Sequence, residues 1–187
     1  MKIEATPLPG VWLIQPDVFG DHRGYFQESW NKRKFAEQGL NLDFVQDNLS
    51  YSRKGILRGL HFQNPKAQGK LVQALQGEVF DVAVDVRKGS PTFGQWFGAV
   101  LSAENHLQMY VPEGFAHGFC VLSETALFAY KCTEFYNPQT EYSLRFDDPD
   151  IGIDWPLGDP YSLSAKDENA RRLKDFPQES LPLYINP

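Results

Sequence analysis

The chain has 187 residues, of which 42% are apolar and 22% charged, and a formal net charge of −6. At roughly 150 residues per domain this is one domain. A chain of this length buries roughly 70% of its unfolded surface, so it can fold without a metal or a disulfide staple. The acidic balance speaks against a surface that coats nucleic acid. No run approaches the roughly 18 consecutive apolar residues of a membrane span. The stretch from Met1 to Pro7 lacks the apolar core of a signal peptide. Cys120 and Cys132 are the only cysteines and sit in apolar runs, which predicts buried thiols and not a bridge. The expectation is a soluble cytoplasmic protein, in which the sequon Asn48-Leu49-Ser50 has no role.

Aromatic residues reach 14%, and there are 15 glycines and 13 prolines, a composition that leans toward β-structure. Residues 11–15 read as a first strand closed by Pro16. Residues 31–38 read as a short helix, with Asn31 as its cap and Gly39 as its stop. From about residue 45 to 146 the signal is almost all strand. Residues 78–87 alternate, with Phe80, Val82, Val84 and Val86 on one face and Val79, Asp81, Ala83 and Asp85 on the other. Leu107, Met109 and Val111 alternate again before Pro112 and Gly114. Residues 127–135 form a further strand, with Phe128, Tyr130 and Cys132 on one side. Short strands at this spacing predict a sandwich, jelly roll or barrel. Beyond about residue 147, Pro149, Pro156, Pro160, Pro177 and Pro182 interrupt the chain, and Ser164 opens a helical run expected to reach Leu173. The predicted organisation is one domain: a barrel core followed by a capping segment over residues 147–187.

Several common chemistries are excluded. No G-x-G-x-x-G follows a strand, and no G-x-S-x-G elbow is present. Gly69-Lys70 looks like the end of a phosphate loop, but Leu71 stands where a magnesium-binding Ser or Thr is needed, and Asn64 replaces the upstream glycine. Two of the four histidines carry more information. His117 lies in Pro112-Glu113-Gly114-Phe115-Ala116-His117, a P-x-G-x-x-H segment that resembles the second motif of cupins, small jelly-roll barrels. His61 lies where the first cupin motif would fall, but Gln63 replaces the second histidine of the metal-binding pattern. Two imidazoles rarely hold a catalytic metal. The chain therefore resembles a cupin barrel without a metal. Taken alone, His117 reads equally as a turn histidine and His61 as a hydrogen-bonded strand histidine.

An ordered set of segments narrows the reading. Asp21-His22-Arg23-Gly24-Tyr25-Phe26-Gln27-Glu28, the run from Gln46 to Ser52, Gly55 to Gln63, Gly69 to Val72, Gly77 to Arg87, Pro112 to Phe119, and Leu163 to Asp167 all resemble the dTDP-4-dehydrorhamnose 3,5-epimerases, in family order over nearly the whole chain. The resemblance implies a substrate in which a 4-keto-6-deoxy sugar is carried on thymidine diphosphate. Both carbons beside the ketone are acidified by it, so inversion needs a base, an acid on the other face and a donor for the enolate oxygen, with no redox cofactor and no metal.

The resemblance assigns these parts. His61 becomes the base, suited to neutral pH by an ordinary imidazole pKa of about 6.5. Asp167 becomes its partner, fixing the tautomer. Because Ser164-x-x-Asp167 also looks like a capping box, Asp167 has a purely structural alternative. Tyr130 becomes the acid, with a packed barrel tyrosine as its alternative. Lys70 becomes the enolate-stabilising donor, where position alone would suggest a strand-edge lysine. Substrate contacts map onto Arg23, Phe26, Glu28, Gln46, Asn48, Arg58, Lys70, His117, Tyr136, Glu141 and Lys166. Arg23 and Arg58 suit the diphosphate, and Tyr136 suits stacking on the thymine.

Strict alternation puts Arg58 and His61 on opposite strand faces. Gly59 between them predicts a bulge that re-aims one of them. A contribution from a neighbouring subunit is the other solution, since the resemblance implies a homodimer that exchanges N-terminal strands. A single-centre epimerase, a ketoisomerase of the same barrel, and a non-catalytic sugar-nucleotide-binding cupin remain as alternatives.

Overall fold

A computed structural model describes residues 1–158 and 161–185; Pro160, one of the predicted breaks, lies outside them. The chain begins with β1 (Lys2–Ala5), β2 (Trp12–Gln15), β3 (Val18–Asp21), β4 (Gly24–Gln27) and the helix α1 (Lys32–Glu37). It continues with β5 (Gln46–Arg53), β6 (Leu57–Gln63), β7 (Lys70–Gln76), β8 (Glu78–Asp85) and β9 (Trp96–Ser102). The strands β10 (Gln108–Val111), β11 (Phe115–Val121), β12 (Thr125–Cys132) and β13 (Glu141–Ser143) follow, then α2 (Ala165–Glu168). Two single-turn 3-10 helices close the described chain, Leu173–Asp175 and Gln178–Ser180.

The strands form a six-stranded sheet in the order β1-β2-β10-β7-β12-β5 and a five-stranded sheet in the order β13-β6-β11-β8-β9. Between them lies a core of Val72, Met109, Val111 and Phe128 from the first sheet with Val79, Ala83, Leu101, Phe115 and Phe119 from the second. Two packed antiparallel sheets of this kind make a mainly β jelly-roll barrel of cupin type, as expected. β3 and β4 pair only with each other, in a separate ribbon.

The alternation of β8 is real, yet both of its faces are buried. Val79 and Ala83 face the barrel core, while Val82 and Val84 meet Leu173, Phe176 and Leu181 of the C-terminal segment on the outside. The capping reading of that segment thus has a physical basis: it covers the outer face of the five-stranded sheet. On the opposite sheet α1 does the same, placing Phe35 against Ile14, Leu71 and Tyr110. Asn31 caps α1 through its side-chain oxygen, which accepts from the N–H groups of Arg33 and Lys34, and Gly39 leaves the helix at φ 89°.

Three expectations are corrected. The predicted first strand is the second, since residues 2–5 form β1 and pair with it. The strand expected over 127–135 runs over Thr125–Cys132. The helical run from Ser164 stops at Glu168 and does not reach Leu173. Asn169 donates from its side chain to the Ala165 carbonyl, and Arg171 joins Leu144 in a bridge, so pairing with the barrel takes the backbone out of the helix. Cys120 and Cys132 are free and buried, as predicted.

Candidate active site

The barrel opens into a cavity of about 410 Å³, lined among others by Ser50, Arg58, His61, Lys70, His117, Tyr130, Lys166 and Asp167. One wall belongs to the five-stranded sheet. On it His61 of β6 stands directly opposite His117 of β11, whereas Arg58 is opposite Phe119. Three residues on β6 therefore span two on β11, which is the bulge that Gly59 suggested. Gly59 has φ 116°, and a Cβ there would sit 2.6 Å from the Gly118 Cα and 2.7 Å from the His117 carbonyl oxygen. The bulge brings Arg58 and His61 to the same cavity.

His61 Nε2 lies 2.6 Å from Asp167 Oδ1. Ser164 caps α2 by accepting from the Asp167 N–H, and its hydroxyl donates to Asp167 Oδ2 at 2.9 Å. The capping box and the histidine–carboxylate pair are thus one arrangement: the cap aims the carboxylate. Burial works to raise the Asp167 carboxyl, but the hydrogen bond and charge of His61, with the donors of Ser164 and Gly59, outweigh it and hold the group below its usual 3.8. Ionised Asp167 accepts from Nε2, leaving the lone pair on Nδ1.

The other wall comes from the six-stranded sheet. Tyr130 of β12 and Lys70 of β7 line it, with Lys70 paired to Cys132 in register. Lys70 is buried and forms no hydrogen bond or ion pair among the described residues, and burial pushes its amine down, partly countered by the charges of Cys132, Glu141 and Asp81. Such an amine is a pre-placed donor whose partner has to come from the ligand. Burial raises the Tyr130 phenol, which keeps it protonated at neutral pH.

The remaining predicted residues divide into two groups. His117 Nε2 meets Asp81 Oδ2 at 2.9 Å in full burial, which disfavours the charged form of both and so raises Asp81 and lowers His117. Arg58 donates from Nε to Ser52 at 2.9 Å and has no carboxylate partner among the described residues, leaving its terminal nitrogens for an anion. At the rim, Gln46 accepts from the Tyr136 N–H and donates to Asn48, the Tyr136 ring is half exposed, and Lys166 and Tyr136 both donate to Glu141. By contrast Arg23, Phe26 and Glu28 are exposed on or beside the ribbon, away from the cavity. There Arg23 pairs with Asp21, and Glu28 with Lys34. Gln63, where the metal-binding pattern has its second histidine, holds the loops instead: it donates to the carbonyls of Lys66 and Phe135 and accepts from the Asn137 N–H.

Three further polar residues belong to the site, of which only Ser164 was expected, and as a helix cap. Ser164 and Asp81 position Asp167 and His117. The Ser50 hydroxyl is buried on the cavity wall with no hydrogen-bond partner among the described residues. Alternation from Gln46 and Asn48 would have flagged Ser50, since all three share the inward face of β5.

The chain and its fold have close counterparts. A family model described as dTDP-4-dehydrorhamnose 3,5-epimerase matches residues 5–175. The dTDP-4-dehydrorhamnose 3,5-epimerase of Pseudomonas aeruginosa is 56% identical over 94% of this chain and 97% of its own length. The crystal structure of dTDP-6-deoxy-D-glucose-3,5-epimerase from Legionella pneumophila Philadelphia 1, in complex with dTDP-4-keto-L-rhamnose, superposes with a TM-score of 0.96, at 52% identity and 99% coverage of both chains. A 3'-monoepimerase from Streptomyces bikiniensis, in complex with dTDP-quinovose, gives a TM-score of 0.88 at 36% identity, covering 96% of this chain and 92% of its own. With its two-walled cavity and its match over nearly the full length, the chain belongs to the dTDP-4-dehydrorhamnose 3,5-epimerase family.

Proposed function

We propose that the chain inverts C3 and C5 of dTDP-4-dehydro-6-deoxy-D-glucose to give dTDP-4-dehydro-L-rhamnose, using only its own side chains. The observation that carries this is the placement of His61 and Tyr130 on opposite walls of one cavity, with Lys70 on the strand next to that of Tyr130. An inversion needs a base on one face of a carbon and an acid on the other, and two facing sheets supply that arrangement.

His61 takes the proton from a carbon next to the ketone, and the electron pair moves onto the C4 oxygen as an enolate. Lys70 stabilises that oxygen electrostatically; the interaction strengthens as charge develops, so it favours the transition state over bound substrate. Asp167 stabilises the imidazolium. The enolate then collapses, and Tyr130 delivers a proton to the opposite face. His61 releases its proton to water and Tyr130 regains one, after which the same groups act on the second carbon. Arg58 holds the diphosphate, with His117 and Lys166 beside it, while Gln46, Asn48, Tyr136 and Glu141 form the nucleotide end.

Arg23, Phe26 and Glu28 act in the cavity of a second copy. Support comes from the ribbon, which leaves Phe19, Tyr25 and Phe26 at least 60% exposed, and from the outward face of β5, where Leu49 and Tyr51 are exposed too. Large apolar surfaces of this kind mark association sites, and a homodimer that exchanges its N-terminal strands would cover them. Each subunit works as one domain, because the C-terminal segment both covers the barrel and brings Lys166 and Asp167 to the cavity. No helix among the described residues is long and apolar enough to cross a membrane. Two buried free thiols suit the reducing cytoplasm, the proposed location.

The test is proton NMR of the chelator-treated protein with this substrate in deuterated water. Deuterium at both C3 and C5 is the expected result. Deuterium at one carbon would favour a single-centre epimerase, the reading for which the Streptomyces bikiniensis counterpart speaks. Binding without exchange would overturn the enzymatic reading.

A further inference from the structure

Glu141 holds more than the rim of the nucleotide site. Its side chain is 13% exposed, and Oε2 accepts from Lys166 Nζ at 2.8 Å and from the Tyr136 hydroxyl at 2.9 Å. Oε1 has no hydrogen-bond donor among the described residues, and lies 3.7 Å from His61 Nδ1. That is too long for a hydrogen bond and short enough for a strong charge interaction. The backbone sets up this approach: on β13, Ser143 is the direct partner of His61 and Glu141 is the diagonal one, two residues along.

We propose that Glu141 is a positioning residue for the base, a second carboxylate that holds the His61 imidazole from the side opposite Asp167 and raises its affinity for the abstracted proton. The proposal rests on the epimerase reading and deepens it. Nε2 faces Asp167, so the lone pair that takes the proton is on Nδ1, the atom nearest Glu141 Oε1. Once protonated, the ring sits between two carboxylates. α2 fixes both of them, since Asp167 reaches Nε2 directly while its neighbour Lys166 anchors Glu141. The Glu141 carboxyl stays ionised: burial raises it, but Lys166, His61 and Tyr136 together bring it below its usual 4.5.

The sign of the effect follows from the charges around His61. Asp167 and Glu141 favour the imidazolium. Lys166 from α2, Lys70 on the facing wall and Arg58 on the same strand oppose it; Tyr130 and the buried His117 complete the surroundings. Removing the Glu141 charge leaves the cations less opposed, so the base weakens and binds its proton only at lower pH.

The experiment compares wild type, E141Q and K166M by kcat and KM across pH, with dTDP affinity measured by calorimetry and folding checked by thermal melting. For E141Q we expect kcat to fall roughly 10-fold and the acid limb of kcat/KM to move down by about one pH unit, alongside whatever dTDP affinity is lost with the nucleotide-end contact. If E141Q fails to fold, E141A takes its place with the same expected downward move of the limb; K166M, which removes a cation and also frees Glu141, serves only as a control for the change of charge. Unmoved acid limbs with weakened dTDP binding would overturn the proposal and leave Glu141 a nucleotide contact. Absence of any C3 or C5 exchange in wild type would instead overturn the epimerase reading.

Discussion

His61 Nε2 and Asp167 Oδ1 are 2.6 Å apart, although the two residues belong to different layers, a barrel strand and a short helix of the C-terminal segment. D167N keeps the size and the Ser164 contact but offers no carboxylate to the imidazolium. We expect kcat to fall by about 10²-fold or more with a small change in KM. Asp167 also contributes to stability with a defined pH dependence. Its folded pKa lies below the unfolded value of 3.8, so its contribution is fully present above that value and is lost as pH falls through the folded one. Acid melting curves of wild type and D167N should therefore converge at the lowest pH; curves that stay parallel would remove this coupling.

Lys70 is predicted to lower stability in exchange for activity. Its folded pKa is below the usual 10.5, so burying an amine that the unfolded chain keeps charged in water costs stability at every pH below that value. K70M should raise Tm at neutral pH while lowering kcat by about 10²-fold or more, with KM little altered. The Tm difference should shrink as pH approaches 10.5. A K70M protein that loses only KM would contradict the enolate role.

Gly59 is where the bulge, the positive φ and the contact with Gly118 coincide. An alanine there meets backbone atoms that have no flexible end to move. G59A should destabilise the fold by roughly 2 kcal/mol or more, and should misplace Arg58 and His61 together. Thermal melting and a crystal structure of the variant check this; an unchanged β6–β11 register with full activity would count against it.

Arg58 has no acidic partner among the described residues and faces the cavity. R58A should weaken dTDP binding by 10-fold or more, roughly the worth of a charge-assisted contact, while exchange at saturating substrate changes far less. Unchanged dTDP affinity in calorimetry would remove Arg58 from the phosphate site.

Much of this was legible in the residues, for reasons that differ from part to part. Asn31 and Gly39 bounded α1 because caps are local chemistry. The alternation of β8 located the strand, but a two-residue period cannot show that both faces are covered, since the covering residues Leu173, Phe176 and Leu181 come from far along the chain. The same long-range packing ended the helical run at Glu168, where local propensity favoured continuation. His61, Lys70, Tyr130 and Asp167 were picked out by resemblance; what the sequence could not supply was their division between two facing walls, which arises only when both sheets close. Gly59 hinted at the bulge because strict alternation would leave Arg58 and His61 on opposite faces, and a glycine between them lets the strand re-aim one. The ribbon of residues 18–27 passed unnoticed, as its exposed Phe19, Tyr25 and Phe26 have no core of their own chain to point toward.

If one base and one acid on opposite walls carry the inversion, removing each should abolish a different half of it. The most direct test follows deuterium uptake and product configuration by NMR for wild type, H61A and Y130F in parallel. H61A should incorporate no deuterium at C3 or C5. Y130F should still exchange protons from the His61 side while forming little inverted product. Exchange by H61A at the wild-type rate, or full inversion by Y130F, would contradict these roles.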